Sequence, residues 1–109
     1  MAMSHAKPGE VVALRPLGPQ FGAARTTAIV KTDAFEAARL VVRAGAQIAP
    51  HQVPGPITLH CLEGRVRLDL SDSTLELSAG DWVYLEGGAP HSLRGIEDAS
   101  LLLTILFNR

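Results

Sequence analysis

Arg65-Val66-Arg67-Leu68-Asp69-Leu70, followed by Ser71-Asp72-Ser73 and then Thr74-Leu75-Glu76-Leu77-Ser78, is the stretch that decides the fold. In its first part aliphatic residues alternate strictly with charged ones, the period-two pattern of a strand with one buried and one wet face. Ser71 to Ser73 are turn formers, and the alternation resumes after them. Together they predict an antiparallel hairpin.

Outward from this hairpin the same grammar continues. From Thr27 onwards the chain is a series of short runs separated by turn residues, which predicts an all-β sandwich or barrel. Trp82 to Leu85 and Leu101 to Phe107 are apolar on both faces, so they are expected to be buried twice, between sheets or against a second subunit. Around residue 36 two signals compete. Asp33 and Glu36 form a capping-box pattern, and Ala37-Ala38-Arg39-Leu40 would suit a helix. Leu40, Val42 and Ala44, however, alternate with Arg39, Val41 and Arg43, and two adjacent valines disfavour helix, so a strand is expected. Residues 1–9 read as a mobile tail before a single barrel domain over residues 10–109. Within it a short extended stretch, Val11 to Leu17, leads into a loop marked by Pro16, Gly18, Pro19 and Gly22.

Composition narrows the classes of function. The 109 residues suffice for one domain with a real core, and 47% of them are apolar. A net charge of -1 without a basic stretch points away from nucleic acid and anionic lipid. Cys61 is the single cysteine, which excludes an internal disulfide and fits a reducing compartment. The opening MAMSHAKPGE lacks the apolar core of a signal peptide, and Leu101 to Phe107 is far too short to span a bilayer. The expectation is a cytoplasmic protein without a membrane partner.

Gly45, Gly64, Gly80 and Gly88 stand where short strands must turn, and His51 and His91 follow Gly45 and Gly88 by six and three residues. In this constellation the sequence resembles the cupins. Gly45, His51 and Gly64 occupy their places in the family's first motif, while its second histidine and its glutamate are replaced by Val53 and Ile57. Gly80, Gly88 and His91 match the second motif at full spacing, with Glu86 in place of its proline and Gly95 in place of its asparagine. Ala79-Gly80-Asp81-Trp82 and Ala89-Pro90-His91 are also similar to small cupins. So are the phrase from Pro54 to Arg67 and the ending Leu102-Leu103-Thr104-Ile105, which resemble small single-domain RmlC-like members. The resemblance spans roughly residues 36–107 and implies a jelly-roll-like antiparallel barrel of two facing sheets, with homodimers common.

The resemblance also implies a pocket, with His51 and His91 pointing into one cavity. Two imidazoles there can ligate a metal, hold an anion, or act as acid and base near neutral pH. A zinc, iron, nickel or copper ion normally wants three protein ligands, so a third donor is needed. With Ile57 inward, alternation brings Leu59 and Cys61 inward and turns Thr58 and His60 away. Cys61 is then the sharper third candidate, against the alternative that it is a small buried hydrophobe. Gln52, His60 and Ser92 have the wrong parity, unless the Pro54-Gly55-Pro56 loop reorients Gln52 or a bulge shifts His60. Asp81 reads as a turn residue that satisfies backbone groups. Arg39 and Arg43 read as a solvated or interface face, and Trp82 and Tyr84 as core or interface packing.

The candidate pocket is therefore His51, Ile57, Cys61 and His91, with no residue singled out as catalytic. The leading function is a small-molecule-binding cupin with an atypical metal site acting on a small polar metabolite. The alternatives are a metal-free ligand-binding or sensor cupin and a dimeric scaffold whose site has decayed.

Overall fold

A computed structural model describes residues 5–51 and 53–107, with the side chains of residues 49–51 outside that description. Gln52 therefore lies outside the described residues, and so does the side chain of His51.

The strands are β1 (Thr27–Lys31), β2 (Phe35–Val42), β3 (Gln47–His51), β4 (Ile57–Glu63), β5 (Arg65–Leu70), β6 (Thr74–Ser78), β7 (Trp82–Leu85), β8 (His91–Gly95) and β9 (Ala99–Leu106). They form a five-stranded sheet in the order β1-β2-β9-β4-β7 and a four-stranded sheet in the order β3-β8-β5-β6. Every paired neighbour runs antiparallel. The two sheets face each other, and the expected all-β double-sheet barrel is what the chain builds.

The hairpin read from residues 65–78 is β5–β6, with Val66 opposite Leu77 and Leu68 opposite Leu75. The segment with competing signals is strand β2, paired along its whole length with β9. A lone helix there would leave β9 without a neighbour on that side, and the eight-residue pairing outweighs a capping signal worth about 1 kcal/mol.

The core follows the alternation. Ile57, Leu59 and Cys61 of β4, Val66 and Leu68 of β5, and Ala99 and Leu101 of β9 are buried between the sheets. Corners rest on glycine. Gly45, Gly64, Gly80 and Gly88 all have positive φ, as their positions between strands require.

The structure refines three expectations. Residues 11–17, expected as a short extended stretch, belong to no strand or helix, and the loop after them winds into a 3-10 helix, Gly18–Ala23, which buries Phe21. Trp82 and Tyr84 are not covered between the sheets of this chain: β7 is a sheet edge, and these side chains are 60% and 52% exposed on its outer side, which leaves the expected cover by a second subunit as the remaining alternative. The expectation came from composition, which cannot tell an edge strand from a central one.

Arg39 and Arg43 do face outward, but they are not merely solvated. Arg39 donates to the Arg15 carbonyl at 2.6 Å, and Arg43 donates to the carbonyls of Gly22 and Ala24 at 3.0 and 3.1 Å. The Arg43 guanidinium also lies 5.5 Å from the centroid of the Phe21 ring. Both arginines hold residues 15–24 onto the outer face of the five-stranded sheet.

Candidate functional site

His91 opens β8 at one end of the barrel. Its Cα pairs with that of Leu70 on one side and that of His51 on the other. The register of β3 shifts between Ile48 and His51, so a local irregularity precedes the pair. His91 shares the face of Leu93, a core residue, and is itself 7% exposed. Its Nδ1 lies 3.1 Å from the Ala89 carbonyl oxygen. The tautomer protonated at Nδ1 donates to that oxygen and carries its lone pair on Nε2.

Two spaces adjoin this imidazole. A recess of about 170 Å³ at the rim is bounded by Asp69, Leu70, Ser71, Pro90 and Ser92 as well as His91. Inside, a cavity of about 60 Å³ lies between the sheets among Leu40, Ile48, Leu59, Leu93 and Leu103, with His91 and Ser92 at its wall. Larger clefts occur outside the barrel. One of about 500 Å³ runs between residues 10–17 and strands β1 and β2. It holds none of the residues named from the motifs.

The other candidates separate. Ile57 is buried at 3% exposure and puts an apolar side chain on the inward face. Cys61 is inward too, but its thiol donates to the carbonyls of Glu63 and Gly64 at 3.4 and 3.7 Å. Gly64 precedes the first residue of β5 and His91 pairs with its last, so Cys61 and His91 lie about 17 Å apart along that strand. That is far beyond what one ion at ordinary ligand distances spans. Burial, the largest influence, pushes the Cys61 thiol above its usual range, with Asp81 and Glu63 adding to it and a backbone hydrogen bond opposing it. The thiol is thus a weaker thiolate donor still. His60 faces outward, opposite Trp82. Asp81 accepts a hydrogen bond from the Ser78 N–H at 2.8 Å, the turn role expected of it. Among the described residues no three of histidine, cysteine, aspartate and glutamate converge as a metal site.

The strand parity also points to a residue that the motifs do not name. Glu36 pairs with Ile105, and Ile105 pairs with Ile57. Ile105 packs against the core, so Glu36 shares the inward face in the same row. A carboxylate absent at position 57 thus occurs two strands away, about 10 Å across the sheet. Its signal was the alternation with Leu40 and Val42, masked by the capping-box reading.

The double-sheet barrel agrees with the comparisons. A family model described as "Cupin domain" matches residues 38–107. The chain belongs to the cupin family. No curated protein matches it significantly. Among solved structures, this cupin is similar to a conserved protein of unknown function from Streptococcus pyogenes, with TM-score 0.80 and 19% identity over 100% of this chain and 99% of that one. It is similar to KdgF from Halomonas sp., with TM-score 0.69 and 20% identity over 77% and 80% of the two chains. It is also similar to the DMSP lyase DddQ from Ruegeria pomeroyi, with TM-score 0.70 and 20% identity over 76% of this chain but 46% of that one. At these identities the likeness is one of fold.

Proposed function

We propose that this cupin binds a small polar metabolite at the rim of its barrel, on a pocket built from His51 and His91. The observation that carries the reading is the backbone register, which pairs these two motif histidines directly across β3 and β8. Directly paired positions are the nearest cross-strand neighbours in an antiparallel sheet. The rim recess of about 170 Å³ beside His91 suits a compact ligand rather than an extended one. Near neutral pH an imidazole pair there can grip an anionic group, or give and take a proton.

A bound zinc, iron, nickel or copper ion would find the two imidazoles. With Ile57 in the glutamate place and Cys61 at the far end of β5, the described donors do not fit a three-ligand site. The imidazoles themselves therefore carry the reading, and any metal would be weakly held.

Thermal unfolding with a panel of small carboxylates, phosphates and sugars tests the pocket, alongside elemental analysis of untagged protein. A true ligand at a hundred times its Kd stabilises by about 2.7 kcal/mol, and the His51→Ala/His91→Ala double variant should lose that gain. Near-stoichiometric metal that vanishes in the double variant would replace the metal-free reading with a metal-assisted one. Stabilisation that survives the double substitution would sink the histidine pocket.

We further infer a cytoplasmic homodimer. Trp82 and Tyr84 stand exposed on the outer face of the five-stranded sheet, and Leu106 at its end is 44% exposed. The row Ala37, Thr104, Thr58 and Tyr84 across β2, β9, β4 and β7 carries no charge. Two-fold pairing sets a patch against itself, which an uncharged face tolerates and a singly charged one does not. In the described residues no helix is long and apolar enough to cross a membrane.

A further inference from the structure

The interior cavity behind His91 has a chemistry of its own. Its wall is Leu40, Leu59 and Leu103 from the five-stranded sheet and Ile48 and Leu93 from the four-stranded one. Leu59 and Leu103 are cross-strand partners, as are Ile48 and Leu93, so two aliphatic pairs face each other across the gap. At about 60 Å³ the space exceeds a packing irregularity yet is well below a metabolite pocket.

Water is a poor occupant. An ordered buried water needs about two to four polar partners. Among the described residues the chamber offers the His91 ring, whose Nδ1 already faces the Ala89 carbonyl, and Ser92, whose side chain strand alternation turns toward the other face of β8. Aliphatic cavities without such partners stay dry and take up nonpolar guests.

We propose that this chamber is a binding site for a nonpolar molecule of about two or three heavy atoms, the size of dioxygen, held against the inner side of His91. The imidazole of His91 borders both this chamber and the rim recess. Any use of the guest in chemistry at the rim rests on the histidine-pocket reading. Occupancy of the chamber does not.

The experiment is methyl NMR of the full chain under dioxygen and under nitrogen, with xenon as a diamagnetic probe. Paramagnetic dioxygen should relax the methyls of Leu59 and Leu93 several-fold faster than those of Val66 and Leu68, which are buried to a similar degree but do not line the chamber. Xenon should shift the same methyls. Leu103→Phe fills the space and should abolish both effects. Leu103→Ala, which covers the case of a Phe variant that fails to fold, should enlarge the xenon shifts. Leu106→Ala, on the outer face, should change neither. Uniform relaxation of all core methyls, or water contacts to the Leu59 and Leu103 methyls, would overturn the proposal. Ligand stabilisation at the histidines is read separately, so the loss of one result leaves the other standing.

Discussion

Glu63 shows how much one side chain can organise. Strict alternation after Cys61 would turn it inward, but the β4–β9 register slips between Cys61 and Glu63 and sets Glu63 opposite Ser100 on the outer face. There its carboxylate accepts the Leu17 N–H at 2.9 and 3.0 Å, the Ser100 hydroxyl, and the Arg39 guanidinium at 3.2 Å. Burial alone would raise the Glu63 carboxyl. The hydrogen bonds from Ser100, Leu17 and Gly18, together with the Arg39 charge, outweigh it and hold the group below its usual range. The Arg39 and Glu63 side chains are 12% and 16% exposed, so removing one charge leaves the other poorly solvated. Glu63→Gln is expected to lower stability by about 2 kcal/mol in urea unfolding and to speed trypsin cleavage after Arg25 as residues 15–24 loosen. The sign with pH follows from the lowered value. The stabilisation is complete above the unfolded-state carboxylate range, about pH 4.3, and is lost as pH falls through the lower folded value. The wild-type advantage over Glu63→Gln should therefore be constant near neutrality and shrink under acid; an advantage independent of pH would contradict it.

At the scale of elements, two corners with the same backbone requirement should respond very differently to one methyl group. Gly64, between β4 and β5, has φ of 75°, and a Cβ there would come within 2.0 Å of the Asp98 carbonyl oxygen. Gly80, before β7, has φ of 94° but open space around it. Gly80→Ala should cost only the left-handed strain, about 1 kcal/mol. Gly64→Ala adds a backbone clash that no rotamer relieves, and should cost at least about 3 kcal/mol or prevent folding. Thermal unfolding of the two variants side by side checks the contrast. Both glycines were legible as turns from the intervals between strands. The difference between them was not, because it depends on a loop 34 residues further along the chain. The edge position of β7 escaped for the same reason: an apolar tetrapeptide reads alike at the middle and the margin of a sheet.

For the whole molecule, the uncharged row that ends at Tyr84 on the outer face, with Trp82 exposed beside it, is the feature with the largest consequence. If two copies pair across it, Trp82→Glu/Tyr84→Lys should convert a dimer to a monomer in sedimentation. Little monomer stability should be lost, since both side chains are more than half exposed. A wild-type chain that sediments as a monomer at all concentrations would refute the pairing.

Strand content, the β5–β6 hairpin and the turn glycines were settled by the sequence itself, through local periodicity and backbone angles that only certain residues adopt. The cupin barrel and the inward place of Ile57, from which Leu59 and Cys61 follow by alternation, came from the motif resemblance. His91 was legible as well, from its spacing after Gly88. Only the tertiary structure decided that Cys61 and His91 lie at opposite ends of β5, and that Glu36 shares a row with Ile57. It also decided that Arg39, Arg43 and Glu63 grip the chain at residues 15–24. The physical reason is that alternation tells a side chain which face it takes, whereas sheet order and register tell it which neighbours it meets. Those are set by pairings between residues far apart in the chain.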